Sequence, residues 1–370
     1  MESSDLAALE AAGLYDPRAP NAAERLALIE WLAAQGAGVE QMIDATQRGG
    51  ALTGLAGDLA LRSPQQCFTL AEIAAMAGTS PAQIEQFRQA AGLPPAGPDE
   101  KLFSPADASP FSSFGLAAQI FGEGPTLHFI RVVGSAVARV AEAAVSLFLV
   151  NIEAPIRAAG GSEVALAKAN LQVMDALRII PPVTESLLRA HVEVAIRRMR
   201  SARRHEPSAD LVRMTVGFVD LVGFTTLSRA LSARELADLV AEFEAVAHDL
   251  VAARDGRLVK LIGDEVMFVT VEAPAACDVA LALVERFDTN PTITPRGGLA
   301  TGPLLMRSGD YYGPIVNLAS RIADLAVPRE ILVSEEVAAG AGGSMRFEPA
   351  GRRMLKGFDE PVTLYAARRA

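Results

Sequence analysis

Met214-Thr215-Val216-Gly217-Phe218-Val219-Asp220-Leu221-Val222-Gly223-Phe224 is the run on which the fold of this chain turns. It is short, rich in β-branched and apolar residues, and stops at a glycine, as a buried strand does. Two later runs read the same way, RLVKLIGDEVMFVTV at 257–271 and REILVSEEV at 329–337. Amphipathic helices are predicted between them, Ser232 to Arg254 and Pro274 to Phe287, with Asp255-Gly256 as a turn. Strands and helices mix without strict alternation. The expectation is an α/β (α+β) half, with helices packed on a largely antiparallel sheet.

Upstream the period changes. The first two hundred residues are dominated by Ala, Leu, Glu and Gln, with apolar residues three and four apart, and read as helix. Ser63-Pro64 and Thr79-Ser80-Pro81 read as helix starts, Gly78 and Gly92 as stops. The Pro-, Ser- and Gly-rich text between Leu93 and Gly115 predicts a loop. Helices resume from Gly124 to Gly160 and from Ser162 to Ile180, and Pro181-Pro182 is expected to interrupt the chain. A last helix, Thr184 to about Arg204, carries Arg189, Arg197, Arg198, Arg200, Arg203 and Arg204. The segment His205–Asp210, HEPSAD, is the expected boundary. The organisation predicted is multidomain: an all-α domain over 1–183, a linker helix over 184–207 and the mixed domain over 208–370.

Composition narrows the function classes. Half of the 370 residues are apolar and 21% are charged, enough for two cores and against pervasive disorder. A net charge of -10 argues against a nucleic-acid binder, which needs a basic face. Cys67 and Cys277 are far apart and suggest neither a disulfide nor a zinc site. The N-terminus MESSDLAALEAAG lacks the apolar core of a signal peptide. The most apolar stretch, Phe129 to Val150, is broken by Arg131, Arg139 and Glu142, so a buried helix is expected there and no transmembrane segment. The chain reads as soluble and cytoplasmic.

Three clusters carry chemistry. In the first, a strand delivers Asp220 and breaks at Gly223 into a helix start, which can cradle phosphate through free N–H groups. In the second, two strand-like runs flank Gly263-Asp264, placing a carboxylate at a hairpin tip. If that hairpin lies beside the first strand, Asp220 and Asp264 converge on hard divalent cations. Glu265 reads as a strand residue facing solvent or a helix rather than as a third ligand. The third cluster is GDYYGPIVNLASR at 309–321, where Asn317 and Arg321 share one helix face. Guanidinium suits charge growing on phosphate oxygens, and an amide can orient a ribose.

Each cluster alone is only suggestive. In this order, FVDLVGFT, KLIGDEVMF and GDYYGPIVNLASR make the run from about Val212 to Ala367 resemble the catalytic domain of class III adenylate cyclases. The resemblance implies a ferredoxin-like core in which Asp220 and Asp264, helped by the Leu221 carbonyl, hold two Mg2+ or Mn2+ ions. It assigns Lys260 and Asp310 to reading adenine, Asn317 to the ribose and Arg321 to the transition state. Lys356, in Arg353-Met354-Leu355-Lys356-Gly357, takes the terminal phosphates, and Phe224 and Thr225 join the substrate site. It also implies a homodimer with ATP bound between two catalytic domains. One protomer gives the metal and phosphate contacts; the other gives Lys260, Asp310, Asn317 and Arg321. A guanylate cyclase would usually show Glu and a small residue such as Cys at the base-reading positions. None of the four histidines, His128, His191, His205 and His248, falls in a motif, so deprotonation of the attacking hydroxyl is left to metal.

The helical half resembles the autoinhibitory, pH-responsive regulatory domain of soluble actinobacterial adenylate cyclases. His191 and His205 flank the Arg-rich part of the linker, where a charge gained on acidification would be repelled by arginines. A second resemblance competes. Phe68 to Pro105 is similar to a MerR-type helix-turn-helix, which admits a non-catalytic DNA-binding regulator, but Arg88 is the sole cation of its would-be recognition helix. Apolar runs at 145–150 and 177–182 also admit an apolar ligand in the N-terminal domain.

Overall fold

The computed structural model describes residues 3–47, 50–61, 68–203, 211–287, 294–343 and 345–370, and the chain divides into two compact units, Met1–Leu187 and Leu188–Ala370. Ser63-Pro64, Cys67, His205 and the HEPSAD boundary lie outside the described residues.

The first unit is helical. α1 (Ser3–Ala11), α2 (Ala22–Ala34), α3 (Val39–Gln47) and α4 (Leu52–Leu61) bury Leu9, Leu28, Ile29, Leu32 and Met42. α5 (Leu70–Ala77) and α6 (Pro81–Ala90) form a helix-turn-helix. Thr69 and Ser80 each close a capping box, and Gly78 ends α5 in the left-handed conformation, as their sequence positions predict. Arg88 does not face outward. It is 8% exposed, donates to the Pro94 carbonyl at 2.6 Å and lies over the Phe103 ring. The one cation of the helix that would read DNA is thus taken up in packing.

Three expectations need correction here. The loop predicted between Leu93 and Gly115 gives way to α7 (Ala108–Phe121). Ser104 and Asp107 bond reciprocally ahead of it, and Pro110 sits in the first turn, where a proline has no needed N–H. Phe111 and Phe114 then pack edge-on against Phe87. α8 (Glu123–Phe148), a π turn and α9 (Ala154–Ala158) follow as one helical run. The apolar stretch expected to be buried is mostly exposed: Phe129, Val137, Val145, Leu147 and Val150 are all more than half exposed. Hydrophobicity shows that a face needs cover, not that the same chain supplies it. By length and composition Glu123–Ala158 is also the one described helix apolar enough to cross a membrane. After α10 (Glu163–Leu177), α11 (Ile180–Ala202) starts with Pro181 and Pro182 in its first turn. The prolines open that helix instead of interrupting the chain.

The second unit is an eight-stranded sheet covered on both faces. In chain order it comprises β1 (Leu211–Leu221), α12 (Phe224–Ala230), α13 (Ala233–Ala252), β2 (Arg257–Ile262), β3 (Glu265–Thr270), α14 (Ala273–Arg286), β4 (Pro295–Arg307), β5 (Asp310–Tyr312), α15 (Pro314–Leu325), β6 (Ile331–Ser334), α16 (Glu335–Gly340), β7 (Met345–Arg353) and β8 (Val362–Arg369). Strand order is β2-β3-β1-β4-β6-β8-β7, with β5 hairpinned onto β4. Every pairing is antiparallel except β4 with β6. That is the mixed, largely antiparallel sheet expected.

Alternation along β1 builds both cores. Val212, Met214, Val216 and Phe218 enter the layer containing α15, with Ala319 and Ile322. Val219 and Leu221 enter the opposite layer, with Phe243 of α13 and Val279 and Leu283 of α14. α15 lies so close to β4 that a Cβ on Gly298 would come within 2.5 Å of the Ala319 carbonyl oxygen and the Ala323 nitrogen, so only glycine fits. This contact fixes the helix carrying Asn317 and Arg321 against the strand beside Asp220.

Candidate active site

Asp220 is the next even-numbered residue of β1, so the same alternation puts it on the α15 side at the strand's end. Register sets its neighbours: Glu265 of β3 on one side and Arg296 of β4 on the other. Asp264 sits in the tight β2–β3 turn, where Gly263 supplies a φ of +66°. The β1–β3 register brings the two aspartates to the same end of the sheet. Burial, then the neighbouring Asp220 carboxyl, push the Asp264 carboxyl above the usual range, against the pull of its own backbone N–H and of Arg296.

Glu265 begins β3, a strand residue as expected, and pairs in register with Asp220 on the α15 side of the sheet. It is half-buried at this acidic end, and burial followed by the charges of Asp220, Asp324 and Asp264 raises its pKa to about 7. Among the described residues no three His, Cys, Asp or Glu side chains are gathered as a metal cage. The candidate donor set is two carboxylates and the Leu221 carbonyl, hard oxygens whose charge Arg296 offsets only in part, which fits a hard divalent cation.

The raised pKa has a measurable consequence in chelator-treated protein. Glu265 keeps its proton in the fold at pH values where an unfolded chain, whose glutamates titrate at the ordinary 4.5, has lost it. The folded state therefore binds more protons between about pH 4.5 and 7, and stability falls as pH rises through that window. Glu265→Gln is expected to raise the melting temperature at pH 8 by about 2–4 °C, a shift discounted for solvent screening. At pH 5 it should do little. Equal shifts at both pH values in thermal melts would mean an ordinary carboxylate.

Arg296 was not singled out by any motif. Its guanidinium reaches Asp220 Oδ2 at 3.2 Å and also donates to the carbonyls of Asp324 (3.2 Å) and Ala326 (3.0 Å) at the end of α15. One side chain thus ties the candidate metal carboxylate to the end of the helix bearing Asn317 and Arg321. Only the β1–β4 register reveals it.

The base-reading candidates form a second constellation. Lys260 Nζ donates to Asp310 Oδ2 at 2.7 Å, and Asp310 Oδ1 accepts the Tyr311 N–H at 2.8 Å. Burial would raise the Asp310 pKa, but the Lys260 hydrogen bond, the Tyr311 N–H and the charges of Lys260 and Arg257 together hold it below the usual range. Asn317 and Arg321 stand on the exposed face of α15, and Arg321 pairs with Asp324 at 3.0 Å rather than with Asp220 or Asp264. Lys356 is exposed in the turn after β7, next to the buried Leu355. Phe224 opens α12 and packs on the α13–α14 core. The side chain of Thr225 lies outside the described residues, while His191 is exposed on α11.

Comparison with known proteins places both halves. Residues 207–367 match the model of the adenylate and guanylate cyclase catalytic domain, and residues 9–196 match that of the adenylate cyclase regulatory domain. An uncharacterised protein of Mycobacterium tuberculosis is 35% identical, over 98% of this chain and 94% of its own length. An adenylate cyclase of Streptomyces coelicolor is 33% identical over 72% of this chain and 69% of its own. A pH-sensitive adenylate cyclase of M. tuberculosis is 32% identical over 65% and 62%. Among solved structures, the adenylyl cyclase CyaB of P. aeruginosa aligns at 27% identity, over 43% of this chain and 95% of its own, with a TM-score of 0.41.

Proposed function

The chain belongs to the adenylate cyclase family, with the catalytic domain behind the regulatory domain, and we propose that it converts ATP to 3′,5′-cyclic AMP and pyrophosphate at the interface of a homodimer. One observation carries this reading: the β1–β3 register pairs Asp220 with Glu265, which sets Asp264 of the β2–β3 turn beside the end of β1 although the two aspartates are far apart in the text. Two divalent cations bound there, Mg2+ or Mn2+, would neutralise the triphosphate and activate the ribose 3′-hydroxyl for in-line attack on the α-phosphorus. Asp220, Asp264 and the Leu221 carbonyl would hold them. Lys260 donates to a ring nitrogen of adenine and Asp310 accepts from its amine. Asn317 orients the ribose, Arg321 meets charge growing on the phosphate, and Lys356 takes the terminal phosphates beside the Phe224–Thr225 helix start.

The exposure of Asn317 and Arg321, and the absence of a bond from Arg321 to either metal-site aspartate, support completion of the site by a second copy. Exposed Leu261, Ile262, Leu305 and Met306 supply apolar surface for that contact. The Lys260–Asp310 pair favours ATP over GTP. Arg88, held in packing, weighs against a DNA-binding regulator. An apolar ligand on the exposed helices of the N-terminal domain is a lesser reading. The protein acts in the cytoplasm.

Regulation resides in the helical residues 1–183, and α11 (Ile180–Ala202) serves as the linker helix. The relative named as pH-sensitive and the position of His191 among the linker arginines support control by pH. His191→Ala is expected to flatten the pH–activity profile, and a profile superimposable on the wild type would remove His191 from the control. The function itself is tested by incubating the purified full chain with Mn2+ and ATP or GTP. Cyclic AMP from ATP supports the reading, and no cyclic nucleotide from either overturns it.

A further inference from the structure

Arg257 has no part in the site as described, yet it grips the same hairpin as Lys260. β2 carries a register shift between Leu258 and Lys260, a bulge at Val259. Without it, residues 257 and 260 would point to opposite faces of the strand; the extra residue brings them to the same one. Both reach the turn between β4 and β5. Lys260 bonds the Asp310 carboxylate, while the Arg257 guanidinium donates to the carbonyl of Gly309 and lies over the Tyr311 ring, 5.7 Å from its centroid. The turn is tight, with Ser308 and Gly309 both at positive φ. Tyr311 is 2% exposed and seated in the α15-side core. Asp310 is therefore held from the residue before it and the residue after it by one planar cation.

We propose that Arg257 is a positioning residue for purine selectivity: by clamping Gly309 and Tyr311 it fixes the direction of the Asp310 carboxylate toward the exocyclic amine of adenine. The inference rests on the assignment of Lys260 and Asp310 as the base readers. A carboxylate accepts from the adenine amine but meets the carbonyl oxygen of guanine unfavourably, so discrimination depends on its being held in place. A loosened turn lets Asp310 swing away, which weakens ATP and relieves the conflict with GTP. The guanidinium suits the role because it bonds an oxygen in its plane while stacking its face on a ring; lysine can do only the first.

The test is steady-state kinetics of the full chain with Mn2+-ATP and Mn2+-GTP. Arg257→Ala is expected to raise KM for ATP about tenfold with kcat within about threefold, and to lower the ATP-over-GTP ratio of kcat/KM about tenfold. Arg257→Lys should recover part of that ratio. A lost fold would depress kcat for both nucleotides and the melting temperature together, and Arg257→Gln, which keeps a polar donor on a shorter stem, guards against that outcome. Asp310→Ala separates the two levels of the argument. If it collapses the ratio while all Arg257 variants keep the wild-type ratio, the positioning role is overturned and the base-reading pair stands. If Asp310→Ala leaves the ratio unmoved, the base-reading assignment fails and this inference with it.

Discussion

Asp220→Ala and Asp264→Ala are each expected to reduce cyclic AMP formation by about 10³-fold or more without unfolding the protein. Neither side chain supports a core. Both are only partly buried, and each adds to the charge that raises the Glu265 pKa, so removing one relieves repulsion on Glu265 instead of opening a cavity. Arg296 retains the carbonyls of Asp324 and Ala326 when Asp220 is lost, which keeps the end of α15 tied to β4. Melting temperature in the absence of metal should thus be unchanged or raised. Turnover disappears because the remaining carboxylate cannot bind two cations or align the triphosphate. Asp220→Asn, which keeps shape and loses charge, should be nearly as damaging. Retention of a tenth of the wild-type rate by either alanine variant would show that the reaction does not pass through these carboxylates.

The second large effect is recovery rather than loss. Arg321→Ala is expected to be as inactive as Asp220→Ala when each is purified alone. Co-expressing the two with different tags should restore about one quarter of the wild-type activity per dimer if pairing is random, because half the dimers are mixed and each has one intact site. Isolating mixed dimers by both tags should double that to about one half. A site contained in one chain predicts no recovery at any ratio. The exposed Arg321, bonded to Asp324 and to neither metal-site aspartate, is the local reason for expecting the first outcome. Failure with demonstrably mixed dimers would sink the shared site while leaving the metal carboxylates in place.

How far the text carried the reading varied with the range of the physics involved. Strand β1, the β2–β3 hairpin around Gly263-Asp264 and the face of α15 with Asn317 and Arg321 were all legible, because alternation, turn chemistry and helix spacing act within a few residues. The same is true of the capping boxes at Thr69 and Ser80. Local composition misled at Leu93–Gly115, where proline and serine marked the start of α7 as well as a loop, and at Pro181-Pro182, which open α11. Both follow from one ambiguity: proline ends helices and also begins them. The exposed face of α8 was illegible for a different reason, since apolarity is a property of the residue and burial a property of its surroundings. Glu265, Arg296 and Arg257 stayed hidden because their roles come from pairings across the sheet. Glu265 and Arg296 flank Asp220 only through register, and Arg257 reaches the β5 turn only through a bulge.

By itself, the order of residues determined the class of chemistry: which carboxylates, amide and cations are present, on what kind of element, and hence that a nucleotide triphosphate and hard cations suit them. Only the tertiary structure decided which of those groups meet. It brought Asp220 and Asp264 together, set Lys260 against Asp310 and left Arg321 turned outward. The reason is physical: side-chain type and local period are written residue by residue. Proximity between distant segments depends on strand register and on close packing such as that at Gly298, which arise when the sheet and its helices assemble as a whole.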